Sequence, residues 1–159
     1  MDELNSLLSD PQKVAERCAE EMYRQDPASQ QLGMEIVAMA PGLAEVRMAI
    51  QPWMLNGHQT CHGGMIFSLA DSAFAFACNS ENHATVAAGC TIDYIQPGRG
   101  SDILIARASK TQQRGRTGIY DVRVENQQGE LIALFRGRSH RIAGSVIPGT
   151  QPPAKGETR

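Results

Sequence analysis

Between Asn56 and Ser80 the chain reads NGHQTCHGGMIFSLADSAFAFACNS, and its one charged residue is Asp71. From Gly64 to Cys78 the residues are small or apolar on every side of a helical wheel, which predicts a helix enclosed by other structure. Burying a carboxylate there without a partner costs several kcal/mol or forces it neutral. Asp71 therefore turns to solvent or bonds to neighbouring backbone, as short polar side chains in helices do, or it is kept for a reaction. The residues that introduce the helix, His62-Gly63-Gly64, favour the last. Two glycines at a helix start let another molecule approach the backbone closely. Free N–H groups there, aided by the helix dipole, make a site for an oxyanion. A carboxylate and an oxyanion site together suit acyl transfer. Gly63 and Asp71 are eight residues apart, about 12 Å along one helix axis, too far to serve one carbonyl group. Two antiparallel copies bring the start of one helix opposite the middle of the other, so the geometry predicts a two-fold dimer with two composite sites.

Other groups that could react fit less well. His58, Cys61 and His62 lack a fourth partner at an established zinc spacing, so no metal is expected. Cys61 beside His58 or His62 is read as a packed thiol rather than a nucleophile pair, since adjacent side chains point apart as often as together. The runs GRGSD and RGRTG lack the strand-loop-helix setting of a phosphate loop and read as turns. Cys18, Cys61, Cys78 and Cys90 form no CxxC pair and read as free thiols.

The elements that must hold Asp71 and the glycines follow from pattern. With 159 residues the chain suits one domain, expected over 1–145 with a flexible tail at 146–159, where PGTQPPAKGETR is rich in proline, glycine and polar groups. Asp10 followed by Pro11 predicts a helix over about 10–25, which should stop near QDPASQ. Ala44, Val46, Met48 and Ile50 alternate with polar or small neighbours after a Pro41-Gly42 turn, giving a strand pair. After NSENH, four strand-like runs separated by GRGS, RGR and QGE predict an antiparallel sheet. The sum is an α+β layer pair with one long helix across one sheet. Fifteen Lys and Arg nearly balance seventeen Asp and Glu, so no overall field favours nucleic acid or an anionic membrane. No apolar run is long enough to span a bilayer, and MDELNSLLSDPQK lacks the features of a signal peptide, so a cytoplasmic protein is expected.

Taken together, MLNGHQTCHGGMIFSLADSAFAFACNS, CTIDYIQPGRGSD, TGIYDVRV and ALFRGRSHRI make the chain resemble the hotdog-fold acyl-CoA thioesterases over about residues 20–145. The asparagine, the HGG and the helix aspartate at fixed spacing carry the likeness. The resemblance implies an α+β hotdog fold, a sheet wrapped around one long helix, dimers with a continuous sheet, and commonly a homotetramer. It implies no cofactor, coenzyme A being part of the substrate. Asp71 would be the catalytic carboxylate, attacking the thioester or activating a water, and the Gly63 N–H of the other subunit would hold the thioester oxygen. Asn56 and His62 match positions that line the site and orient the thioester or the glycine turn, His62 alternatively serving to cap that turn. Ser72 matches a hydroxyl position that helps place carboxylate or water, and Gly64 lies where substrate approaches.

Arg114, Arg116, Arg136 and Arg138 are candidates for holding the phosphates of coenzyme A, against a solvated outer sheet face as the plainer reading. Met54, Leu55, Met65 and Phe67 are candidates for lining the acyl pocket. The substrates implied are aryl-acyl-CoA thioesters such as phenylacetyl-CoA or its ring-hydroxylated relatives, with short or medium aliphatic acyl-CoA as the alternative. A non-catalytic acyl-CoA binding module stays open on the same fold. A hydratase is disfavoured, because no histidine occurs between Gly64 and Ser80.

Overall fold

A computed structural model describes residues 2–154. Three short helices, α1 (Asp2–Leu8), α2 (Pro11–Arg24) and α3 (Pro27–Gln31), precede strands β1 (Glu35–Ala40) and β2 (Leu43–Ala49). A 3-10 turn at Pro52–Met54 leads into helix α4 (Gly63–Cys78), followed by β3 (Thr85–Tyr94), β4 (Ile103–Arg114), β5 (Thr117–Glu125) and β6 (Leu131–Arg141). The six strands form one sheet in the order β1-β2-β4-β5-β6-β3, every neighbouring pair antiparallel. This is the α+β hotdog arrangement, with α4 lying on the sheet. No helix among the described residues is long and apolar enough to cross a membrane.

The expected helix over 10–25 is α2, started by the Asp10 side chain accepting from the amides of Gln12 and Lys13. It ends at Arg24, and the chain restarts as α3 with Asp26 as the cap and Pro27 in the first turn.

Alternation along β2, β4, β5 and β6 sends one side chain in two towards α4, so Val46, Met48, Leu104, Ala106, Val122, Val124 and Phe135 are buried beneath it. Helix α4 meets them with Leu69, Ala70, Ala73, Phe74 and Ala77, whose small members bring the helix close to the sheet. Phe74 is wedged against Tyr120 and Phe135, ring centroids 5.7 and 5.9 Å away. Gly137 makes room for it, since a methyl group there would lie 2.7 Å from the Phe74 ring. Gly137→Ala is therefore expected to cost about 1–3 kcal/mol through overpacking, measurable as a lowered denaturant midpoint with an unchanged slope.

Two expectations are corrected. The tail is not loose from residue 146: Ile147 is buried with Val14 and Cys18 of α2. The Asn82 Oδ1 accepts from the amides of Val146 and Ile147 at 3.0 and 2.9 Å. Asn82 is itself buried, at φ 60°, and this one side chain supplies partners that composition does not reveal. The expected flexibility of 155–159 lies outside the described residues. Nor is α4 enclosed all round, for Gly64, Ser68, Asp71, Ser72 and Ala75 form a partly open stripe along it.

Candidate active site

The approach to α4 is a run of backbone anchors. The amides of Asn56, Cys61 and His62 donate to the carbonyls of Thr60, Gly98 and Met54, each at 2.8 Å. Asn56 Oδ1 accepts from the amides of His58 and Thr60 and from the Thr60 hydroxyl, an Asx-type turn that holds the loop. Three donors on its oxygen fix the amide's orientation, and no described residue accepts from its NH2 group.

His62 is the N-cap of α4, its Nδ1 accepting from the Gly64 amide at 3.1 Å. This is the capping role, and an accepting Nδ1 in a neutral ring puts the proton on Nε2. It also separates the two glycines: the Gly64 N–H is occupied, whereas that of Gly63 has no partner among the described residues. Gly63 stands at the first helical position, where an N–H is orphaned by geometry and the helix dipole favours negative charge.

Tyr94, at the end of β3, donates its hydroxyl to the Gly63 carbonyl at 2.8 Å. A methyl group on Gly63 would lie 3.0 Å from the Tyr94 ring and hydroxyl. The tyrosine thus fixes the Gly63–Gly64 peptide, the unit that directly follows the free amide. Nothing in the chain's local pattern signals this contact, because the two residues lie 31 positions apart.

Asp71 lies two turns further along the helix. No described residue donates a hydrogen bond to its carboxylate. Partial burial pushes its proton affinity above the ordinary carboxylate value, and the negative charge of Asp26 adds to the effect. Ser72, the neighbour expected to place the carboxylate or a water, has its hydroxyl 2.9 Å from that of Ser29 in α3. From pattern alone, Ser29 and Asp26 mark only the end of α2.

The other candidate residues are dispersed. Met54 is buried in the core, with Leu55, Met65 and Phe67 partly buried against it. Arg136 and Arg138 alternate with the inward-facing Phe135 and Gly137, so they stand on the sheet face opposite α4. Arg136 is held by Asp121 through two bonds of 2.7 and 2.9 Å, which depresses the Asp121 carboxyl and raises the guanidinium. Arg138 donates to the carbonyl of Ala88, the extra residue at a bulge in β3, at 3.2 Å. Arg114 and Arg116 are exposed at the β4–β5 hairpin. The described residues hold no group of three or more His, Cys, Asp or Glu side chains fit for a metal.

A cavity of about 500 Å³ between α2 and β1 is lined by residues such as Glu16, Tyr23 and Met39. Another of about 580 Å³ on the outer sheet face includes Asp121 and Arg136. Neither touches Gly63 or Asp71. The partly buried carboxylate and the free amide thus lie on one helix, and neither of these two cavities joins them.

The family described as Thioesterase superfamily matches residues 58–133. A relative in Escherichia coli strain K12, named acyl-coenzyme A thioesterase PaaI, is 51% identical over 80% of this chain and 91% of its own. The solved structure of the Escherichia coli PaaI protein from the phenylacetic acid degradation operon superposes with a TM-score of 0.84 at 48% identity, covering 86% of this chain and 99% of that one. The TT0310 protein from Thermus thermophilus superposes at 0.71 with 39% identity, over 74% and 98% of the two chains. A sheet and helix that superpose so fully, and a sequence alike over most of both chains, leave one assignment: the chain belongs to the thioesterase superfamily and is a thioester hydrolase with the hotdog fold.

Proposed function

We propose that the protein hydrolyses aryl-acyl-CoA thioesters, phenylacetyl-CoA or its ring-hydroxylated relatives, to the free acid and coenzyme A. The observation that carries the site assignment is the division of labour at the start of α4, where His62 takes the Gly64 amide and leaves that of Gly63 free. The free amide receives the thioester oxygen as negative charge develops on it. Asp71 either takes a proton from the attacking water or attacks the carbonyl carbon itself, the acyl group then passing to water. In both routes the C–S bond breaks, the sulfur leaves as a thiolate that acquires a proton, and one water is consumed.

The Gly63 and Asp71 that act on one thioester come from different subunits. The distance along α4 supports this, and so does β3, which ends the sheet with Val86, Ala87, Ala88 and Gly89 exposed. An exposed, mostly uncharged edge of ten residues is a template for pairing with a second strand. Two β3 edges joined about a two-fold axis make the sheet continuous and set the open stripes of the two α4 helices side by side. Such dimers are proposed to associate further into a homotetramer, in the cytoplasm. The aryl preference rests on the likeness to the Escherichia coli relative.

Thiol release from phenylacetyl-CoA, hydroxyphenylacetyl-CoA, acetyl-CoA and octanoyl-CoA tests the substrate class. The aryl thioesters are expected to give the highest kcat/KM, and a preference for octanoyl-CoA would replace the aryl reading by the aliphatic one. Mixing Asp71→Ala subunits with Gly63→Pro subunits tests the sharing. Heterodimers should regain activity at one of two sites, and no recovery in confirmed heterodimers would rule out a site shared between chains.

A further inference from the structure

Behind Asp71 lies a short chain of hydrogen bonds that starts at the cap of α3. Asp26 Oδ1 accepts from the Ser29 amide at 3.0 Å and Oδ2 from the Ser29 hydroxyl at 2.6 Å. The Ser29 oxygen is in turn 2.9 Å from that of Ser72, and Ser29 is 1% exposed. The protons on this chain have only one arrangement. An ionised carboxylate can only accept, so the single hydroxyl proton of Ser29 goes to Asp26. Ser72 must then give its own proton to Ser29, and what it has left to offer the site is a lone pair.

We propose that Asp26 and Ser29 are positioning residues for the catalytic aspartate: they commit the Ser72 proton away from the site, so that Ser72 can accept from a water but cannot donate to Asp71. This rests on the role proposed above for Asp71. The arrangement keeps the carboxylate free of a neutralising donor from its own helix, and it holds a second negative charge nearby, which favours proton uptake by Asp71. The other ionisable neighbours are thiols. The Cys78 thiol on α4 is pushed up to about 12, chiefly by burial, and that of Cys90 on β3 is raised by burial and by Asp71 itself, so neither is charged at neutral pH. From β2, β4, β5, β6 and α2, the remaining elements on α4, no described ionisable side chain acts on Asp71.

The test is the titration of the Asp71 carboxyl by carbon-detected NMR, assigned by its loss in Asp71→Asn, in wild type, Asp26→Asn and Ser29→Ala. Asparagine still caps a helix but carries no charge; alanine frees the Ser72 hydroxyl to turn towards Asp71. Both variants are expected to move the Asp71 titration to lower pH. The acid limb of kcat/KM for phenylacetyl-CoA should follow it, with KM unchanged, so that the ratio of variant to wild-type activity rises as the pH falls. A merely structural role would lower activity or stability without shifting the limb. An Asp71 titration identical in wild type and Asp26→Asn overturns the inference, and Asp26→Asn alone decides it if Ser29→Ala does not fold. The function reading fails separately: a carboxyl titration that moves while the kinetic limb stays fixed upholds the hydrogen-bond chain and removes Asp71 from the rate.

Discussion

Asp71→Asn is expected to lower kcat for thioester hydrolysis by roughly 10²- to 10⁴-fold, the usual worth of a positioned acid or base, while raising the melting temperature. The two effects have one cause. A carboxyl whose affinity for protons is higher in the folded chain than in the unfolded one favours the native state when protonated. That stability is lost as the pH rises from the ordinary carboxylate value of 3.8 through the raised one, so at neutral pH the ionised Asp71 works against the fold. The amide is of the same size and removes the charge. Steady-state kinetics with calorimetry at neutral pH checks both halves: a folded variant that keeps its activity removes Asp71 from the mechanism, and an unchanged melting temperature would show that its burial costs nothing. Oxygen-18 from the solvent, followed over a single turnover, tests for direct attack, because water that opens the anhydride at the aspartyl carbon leaves the label in the aspartate, whereas water activated by Asp71 carries it into the acid.

Gly63→Pro is expected to cost about 3 kcal/mol in the barrier, or some 10²- to 10³-fold in kcat, the effect of losing one oxyanion donor. Proline suits the site better than most. It stands at the first turn, where helices accept it, and the preceding His62 already has φ −57° and ψ 131°, the extended conformation that a following proline demands. Proline also brings a Cβ towards Tyr94, so Gly63→Ala, which crowds the same ring but keeps the amide, is the necessary comparison. The donor's contribution is the difference between the two variants in kcat. Equal losses would mean that the amide carries none of the developing charge and that the tyrosine contact accounts for the effect.

Much of this molecule is written locally. Asp10 before Pro11 marks a helix start, the alternation from Ala44 to Ile50 marks a strand, and His-Gly-Gly before an apolar run marks the start of α4, because each is decided by neighbours along the chain. The parts that escape such reading are decided across it. Ser29 meets Ser72 over 43 residues and Tyr94 meets Gly63 over 31, distances at which no periodicity speaks. Arg136 reads in the sequence as a free cation on a sheet face, yet its partner Asp121 comes from the adjacent strand at a register set only by the folded sheet. The open stripe on α4 has a different origin: its sequence is that of a helix covered on all sides, while the sheet of one chain covers only one. That mismatch supports a second copy more directly than any contact within the chain. Of the readings open at the outset, the non-catalytic binding module yields to the enzyme on the likeness over most of the chain.

The Asn82 side chain works as a latch between the end of α4 and the residues that follow the last strand. A single oxygen that serves two backbone amides ties the segment after β6, as far as Ile147, to the turn that follows α4. Beneath the latch sits Cys18, fully buried, its thiol raised to about 11 mainly through that burial. A thiol kept protonated and out of water is inert to oxidants. The segment after the sheet thus helps to seal Cys18 from solvent and oxidant, through the packing of Ile147 against it.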